Sequence, residues 1–127
     1  MNVLLDSVIL IDHFNGRTEA TEYLRAEMRT AAISVITRAE VLAGFDADGT
    51  PLAKALLDLF PVLAITKEVA DLAAVLRRQH RWKLPDAFQA ALAQIHKLRL
   101  ATRNTRDFPA EKFAFVSVPY ESGKVEI

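Results

Sequence analysis

The chain has 127 residues, the size of one domain, and the whole of it is expected to fold as a single unit. Half of it is hydrophobic (51%) and a quarter charged (25%), which excludes a disordered chain; the absence of cysteine excludes a disulfide framework and thiolate metal sites. The 16 basic and 16 acidic residues cancel, but unevenly: residues 1–76 carry −5, residues 77–106 carry +7 with Asp86 as their only acid, and residues 107–127 carry −2. Such asymmetry marks an anionic partner or two surfaces that neutralise each other on folding.

In chain order, residues 2–5 read as a short buried strand that stops at Asp6. Val8 to Phe14 follow as a short helix, closed by the turn pair Asn15–Gly16. Thr18 is placed to cap a helix over 19–29, and Ala31 to Val35 suit a second strand. Thr37-Arg38-Ala39-Glu40 has the spacing of a capping box ahead of Val41-Leu42-Ala43. Pro51 opens a helix that Pro61 stops, and Val62 to Ile65 form a third strand. The spacing of Val69, Leu72, Ala73 and Leu76 predicts a long amphipathic helix with a basic end. Leu84-Pro85-Asp86 starts an Ala-rich helix through Leu98; Leu98–Thr102 and Phe113–Val118 complete the strands, and the tail after about 119 is expected to be loose.

Strands alternating with helices imply an α/β fold with a mostly parallel sheet covered on both faces. The N-terminus has no basic start and is broken by Asp6 and Asp12, and no apolar run approaches the ~20 residues of a membrane span. A cytoplasmic location with no membrane partner is the expectation.

Ligands of open parallel sheets bind beyond the carboxyl ends of the strands. Asp6, Glu40, Asn104 and Asp107 follow predicted strands, and Asp86 opens a helix. Each has an ordinary role as a cap or turn former, so the functional case rests on the set. If they converge, their carboxylates repel and need a cation, and an all-oxygen cluster selects Mg²⁺ or Mn²⁺ over zinc.

Four strings in order carry a family resemblance. Leu5-Asp6-Ser7-Val8-Ile9-Leu10-Ile11-Asp12 resembles the opening of PIN-domain nucleases, and Ile33 through Val41 resembles their second motif, with its acid at Glu40. Leu84-Pro85-Asp86-Ala87 is similar to the third, and Thr102-Arg103-Asn104-Thr105-Arg106-Asp107-Phe108 to the last. The nearest branch is the VapC-like toxin ribonucleases of bacterial toxin–antitoxin pairs. The resemblance implies a three-layer α/β/α sandwich around a mostly parallel sheet of about five strands. It also implies RNA cleavage by water activated on Mg²⁺ or Mn²⁺. Asp6, Glu40 and Asp86 take the family's metal-binding acids, and Asn104 or Asp107 its fourth position. A cognate antitoxin and a homodimer are implied as partners. The chain departs from the family pattern at Val8, where a small polar residue is usual, and at Asn104, an amide in place of a carboxylate.

On this reading the +7 stretch holds RNA: Arg78, Arg81 and Lys83 precede Asp86, and Arg103 and Arg106 flank Asn104. Trp82 either stacks on a base or packs beneath the loop. Three rivals differ in class. A phospho-receiver domain needs an acceptor Asp after a central strand, where Thr66-Lys67 stand. A PIN-like module without catalysis would lack a metal site. A PIN nuclease of RNA processing would share the chemistry but not the antitoxin.

Overall fold

The computed structural model describes residues 1–121. Its frame is one sheet of five strands, all paired in parallel, in the order β3-β2-β1-β4-β5. The strands are β1 (Val3–Leu5), β2 (Ala31–Ser34), β3 (Val62–Leu63), β4 (Arg99–Ala101) and β5 (Val116–Ser117). Six helices connect them: α1 (Ser7–Phe14), α2 (Thr18–Glu27), α3 (Val35–Leu42), α4 (Thr50–Leu57), α5 (Lys67–His80) and α6 (Leu84–Ile95).

Side chains alternate across a strand, so a sheet buried on both sides has two cores. Leu4 and Leu100 point into one, formed with Val69, Ala73 and Leu76 of α5 and the Ala-rich face of α6. Val3, Leu5, Ile33 and Ala101 point into the other, against Ile9, Leu10, Leu24, Val41 and Leu57 from α1 to α4. The layers are therefore helix, sheet, helix, as expected.

Several boundaries differ from the sequence reading. The second strand ends at Ser34, whose Oγ accepts from the Thr37 backbone N–H at 2.9 Å, so Ser34 is the N-cap and the helix starts at Val35. Thr37 lies inside that helix, fully buried, and Glu40 is not the return arm of a capping box. Arg17 rather than Thr18 stands at the cap position of α2, with no side-chain capping bond. The third and fifth strands are two residues each, because β3 and β5 are the sheet edges and pair on one side only. α5 begins behind Thr66, whose Oγ1 accepts from Val69 N–H at 3.2 Å, and ends at Arg81 in a left-handed conformation (φ 57°).

The expected loose tail falls largely on residues 122–127, outside the described residues. Before it, the Tyr120 hydroxyl donates to Asp12 Oδ2 at 2.8 Å, and Arg17 donates to the Glu121 carbonyl and lies over the Tyr120 ring at 4.6 Å. Among the described residues no helix is long and apolar enough to cross a membrane.

Candidate active site

From β1 the chain winds outward to β2 and β3, then returns to the far side of β1 as β4. The order therefore reverses between β1 and β4, and a crevice opens beyond their carboxyl ends. Asp6 sits there. Its backbone N–H donates to the Ala101 carbonyl at 2.9 Å, and its Oδ1 caps α1 by accepting from Ser7 N–H at 2.9 Å. Capping and the site role thus coexist in one carboxylate, because a cap uses one lone pair and leaves the rest.

Two buried side chains hold Asp6, and a third, Thr37, holds one of them. Thr102 Oγ1 donates to Oδ2 at 2.7 Å, and Gln89 Nε2 donates to Oδ1 at 3.3 Å and to Thr37 Oγ1 at 2.7 Å. Gln89 Oε1 is buried with no hydrogen-bond partner. Sequence spacing assigns Thr37 a capping role and places Thr102 at the end of a strand, but marks neither of them, nor Gln89, as a support of Asp6. A signal was present for Gln89, three residues after Asp86 and so on the same face of α6.

Asp6, Glu40 and Asp86 line one cavity of about 340 Å³ together with Ser7, Val8 and Asn104. Asn104, Glu40 and Asp86 also line a second cavity of about 380 Å³, where Asp107, Arg81 and Lys83 join them. Arg106 lines both. All five predicted acidic or amide site residues thus meet in two adjoining cavities. Of the predicted cations, Arg81, Lys83 and Arg106 stand there too. Arg103 lines the first cavity, but its Nε and Nη2 donate to Asp12 at 2.5 and 2.9 Å as a bidentate pair. Arg78 is exposed on α5 and borders neither cavity. Trp82 is 5% exposed and its Nε1 donates to the Asp107 carbonyl at 3.0 Å, so it packs beneath the loop.

Proximity and burial show in the acidities. Burial lifts the Asp6 carboxyl above its usual range, against the hydrogen bonds from Thr102, Gln89 and Ser7. Glu40 is also raised by burial and by the charge of Asp6, with a Ser7 hydrogen bond opposing. Asp86 is pushed up to about 6, first by burial and then by Asp6, Asp107 and Glu40. Glu40 and Asp86, raised in part by neighbouring carboxylates, mark a place built for positive charge.

A pH dependence follows for Asp86. Ionising it costs more in the folded chain than in the unfolded one, so its stability contribution is lost as pH rises from about 4 past about 6. A rise from 3.8 to about 6 is worth ~3 kcal/mol, which partial exposure of Asp86 reduces to about 1–2. In the absence of metal, Asp86→Asn is expected to be more stable than wild type by that amount near pH 8, and equal to it near pH 4. Urea unfolding at both values measures this, and a pH-independent difference contradicts it.

The donors in the cavities are oxygens, which suits a hard divalent cation and not zinc. Among the described residues, no three His, Cys, Asp or Glu side chains converge tightly enough to hold an ion unaided.

Fold and site together define a PIN domain, and the family profile of that description matches residues 3–114. The chain belongs to the PIN domain family. It is 34% identical to ribonuclease VapC10 of Mycobacterium tuberculosis over 114 residues, covering 84% of this chain and 86% of that protein. Among solved structures, a toxin–antitoxin complex from Klebsiella pneumoniae is 39% identical with a TM-score of 0.87, covering 95% of this chain and all of that one. FitAcB from Neisseria gonorrhoeae, 24% identical, shares the fold with a TM-score of 0.76 over 92% of this chain and 97% of its own.

Proposed function

We propose that this chain is a metal-dependent endoribonuclease and the toxin of a toxin–antitoxin pair. The observation that carries it is the opening of Asp6, Glu40 and Asp86 into one cavity whose neighbour is walled by Arg81, Lys83 and Arg106. Anionic groups for a cation thus lie beside cationic groups for a phosphate backbone. The relatedness to ribonuclease VapC10 supports the same reading.

Asp6 and Asp86 would hold Mg²⁺ or Mn²⁺, and Glu40 would join them or orient water there. Asn104 and Asp107 stand where a second, weaker ion would be recruited with the substrate. A bound divalent ion lowers the pKa of water and offsets charge on the reacting phosphate. The protein contributes position. Thr102 and Gln89 hold the Asp6 carboxylate, and Asn104 Nδ2 donates to Asp107 Oδ2 at 3.0 Å, which fixes that pair. Arg81, Lys83 and Arg106 hold RNA phosphates, Arg103 does so from its tether on Asp12, and Arg78 adds to the surrounding positive field.

The antitoxin has a place to dock. Ile11, Phe14, Val41 and Phe45 line an apolar cavity of about 200 Å³ that shares Glu40 with the acidic one, so a bound segment there reaches the active site. Leu52 and Leu59, 70% and 58% exposed, supply apolar surface for a second copy of the chain in a homodimer.

The test is RNA cleavage by the purified chain in Mg²⁺, in Mn²⁺ and in excess EDTA. Cleavage is expected in metal alone. Undiminished cleavage in EDTA sinks the metal assignment, and none under any condition leaves a binding module.

A further inference from the structure

Behind the acidic cavities lies a smaller one of about 150 Å³ whose chemistry differs. Its walls are rings. His80 stacks on Trp82 with centroids 4.4 Å apart and planes at 28°, and meets Phe113 edge-on at 5.1 Å. Trp82 in turn contacts Phe113 at 5.3 Å and Phe108 at 4.8 Å. Trp82 is buried and pinned by its bond to the Asp107 carbonyl, whereas His80 and Phe113 are only half-buried. The mouth is cationic: Arg106 and Lys112 are exposed at it, with Lys112 Nζ 5.5 Å over the Phe113 ring. Arg106 and Asp107 are shared with the neighbouring acidic cavity, so the two are contiguous.

We propose that this ring-walled cavity binds one nucleobase, with Arg106 and Lys112 taking the attached phosphate. Ring walls offer stacking to any base, and stacking strengthens where cations flank the rings. Asp107 at the shared wall offers an acceptor for an exocyclic amino group, which favours adenine, cytosine or guanine over uracil. The affinity for a nucleotide stands without the nuclease reading. Its consequence for RNA rests on that reading: a base seated here sets which phosphate reaches Asp6 and Asp86, making His80 and Phe113 specificity-determining residues.

Trp82 is the only tryptophan of the chain, so its fluorescence reports on this cavity. Titration of the metal-free protein with the four nucleoside 5′-monophosphates is expected to give a saturable change, absent with ribose 5-phosphate or inorganic phosphate. Affinity is expected to fall about tenfold in His80→Ala, as loss of one stacking ring implies. It is also expected to fall in Lys112→Glu, an exposed position that guards against misfolding of the first variant. Asp6→Asn is expected to bind nucleotides like wild type even if it cleaves no RNA, which separates this proposal from the nuclease reading. No saturable response, an equal response to ribose 5-phosphate, or unchanged affinity in both variants overturns it. A stronger response to N-acetyltyrosinamide than to any nucleotide also overturns it, assigning the cavity to a protein side chain.

Discussion

Asp6→Asn is expected to lower kcat for metal-dependent RNA cleavage at least ~100-fold, about 3 kcal/mol of transition-state stabilisation. The folded state is expected to be as stable as wild type or more so. An amide keeps the acceptor that caps Ser7 and meets Gln89, and its NH₂ can donate to Thr102 Oγ1 in place of the present bond. It also avoids burying a charge, the cause of the raised Asp6 pKa. Single-turnover cleavage and thermal unfolding together distinguish a lost site from a lost fold. Equal cleavage by wild type and variant would remove Asp6 from the mechanism.

Asp12→Ala is expected to do the reverse, with its main effect on stability. Asp12 is 6% exposed and accepts from Arg103 twice and from Tyr120, with Arg17 Nη1 3.9 Å away. Arg103 holds its carboxyl below the usual range. Removing it leaves cations and a phenol around an empty pocket, a loss of about 2–4 kcal/mol and a Tm drop on the order of 10 °C. The contribution of the lowered carboxyl is present above its ordinary range and lost as acid protonates it. Urea unfolding at neutral pH measures the difference, and a loss under about 0.5 kcal/mol would rank the cluster with ordinary surface pairs.

Asp6, Glu40, Asp86 and Asn104 were legible because each belongs to a short string that also carries strand or helix signals. What lay behind them was not. Ser34 and Thr37 are both capping residues three apart, and local spacing cannot choose between them. The choice is tertiary, since Thr37 Oγ1 is taken by Gln89, 52 positions away in the chain. The pairing of Arg103 with Asp12 was not legible, because the two lie 91 positions apart. Trp82 was open to two readings until the ring cluster with His80, Phe108 and Phe113 buried it. Strand lengths were overestimated at β3 and β5 because apolar runs continue past the end of pairing.

The central position of β1 has a bearing on synthesis. Val3 to Leu5 pair with β2 on one side and with Arg99 to Ala101 on the other, so the earliest strand waits for nearly the last. Contacts so distant in sequence form late and slowly. The Asp6 carboxylate acquires its Thr102 bond only after that residue has been made. An emerging polypeptide therefore has no assembled carboxylate cavity until Thr102 has been made. On the function proposed here, a ribosome making this protein is exposed to its activity only after β4 and Thr102 have emerged, leaving an interval in which an antitoxin can already be present.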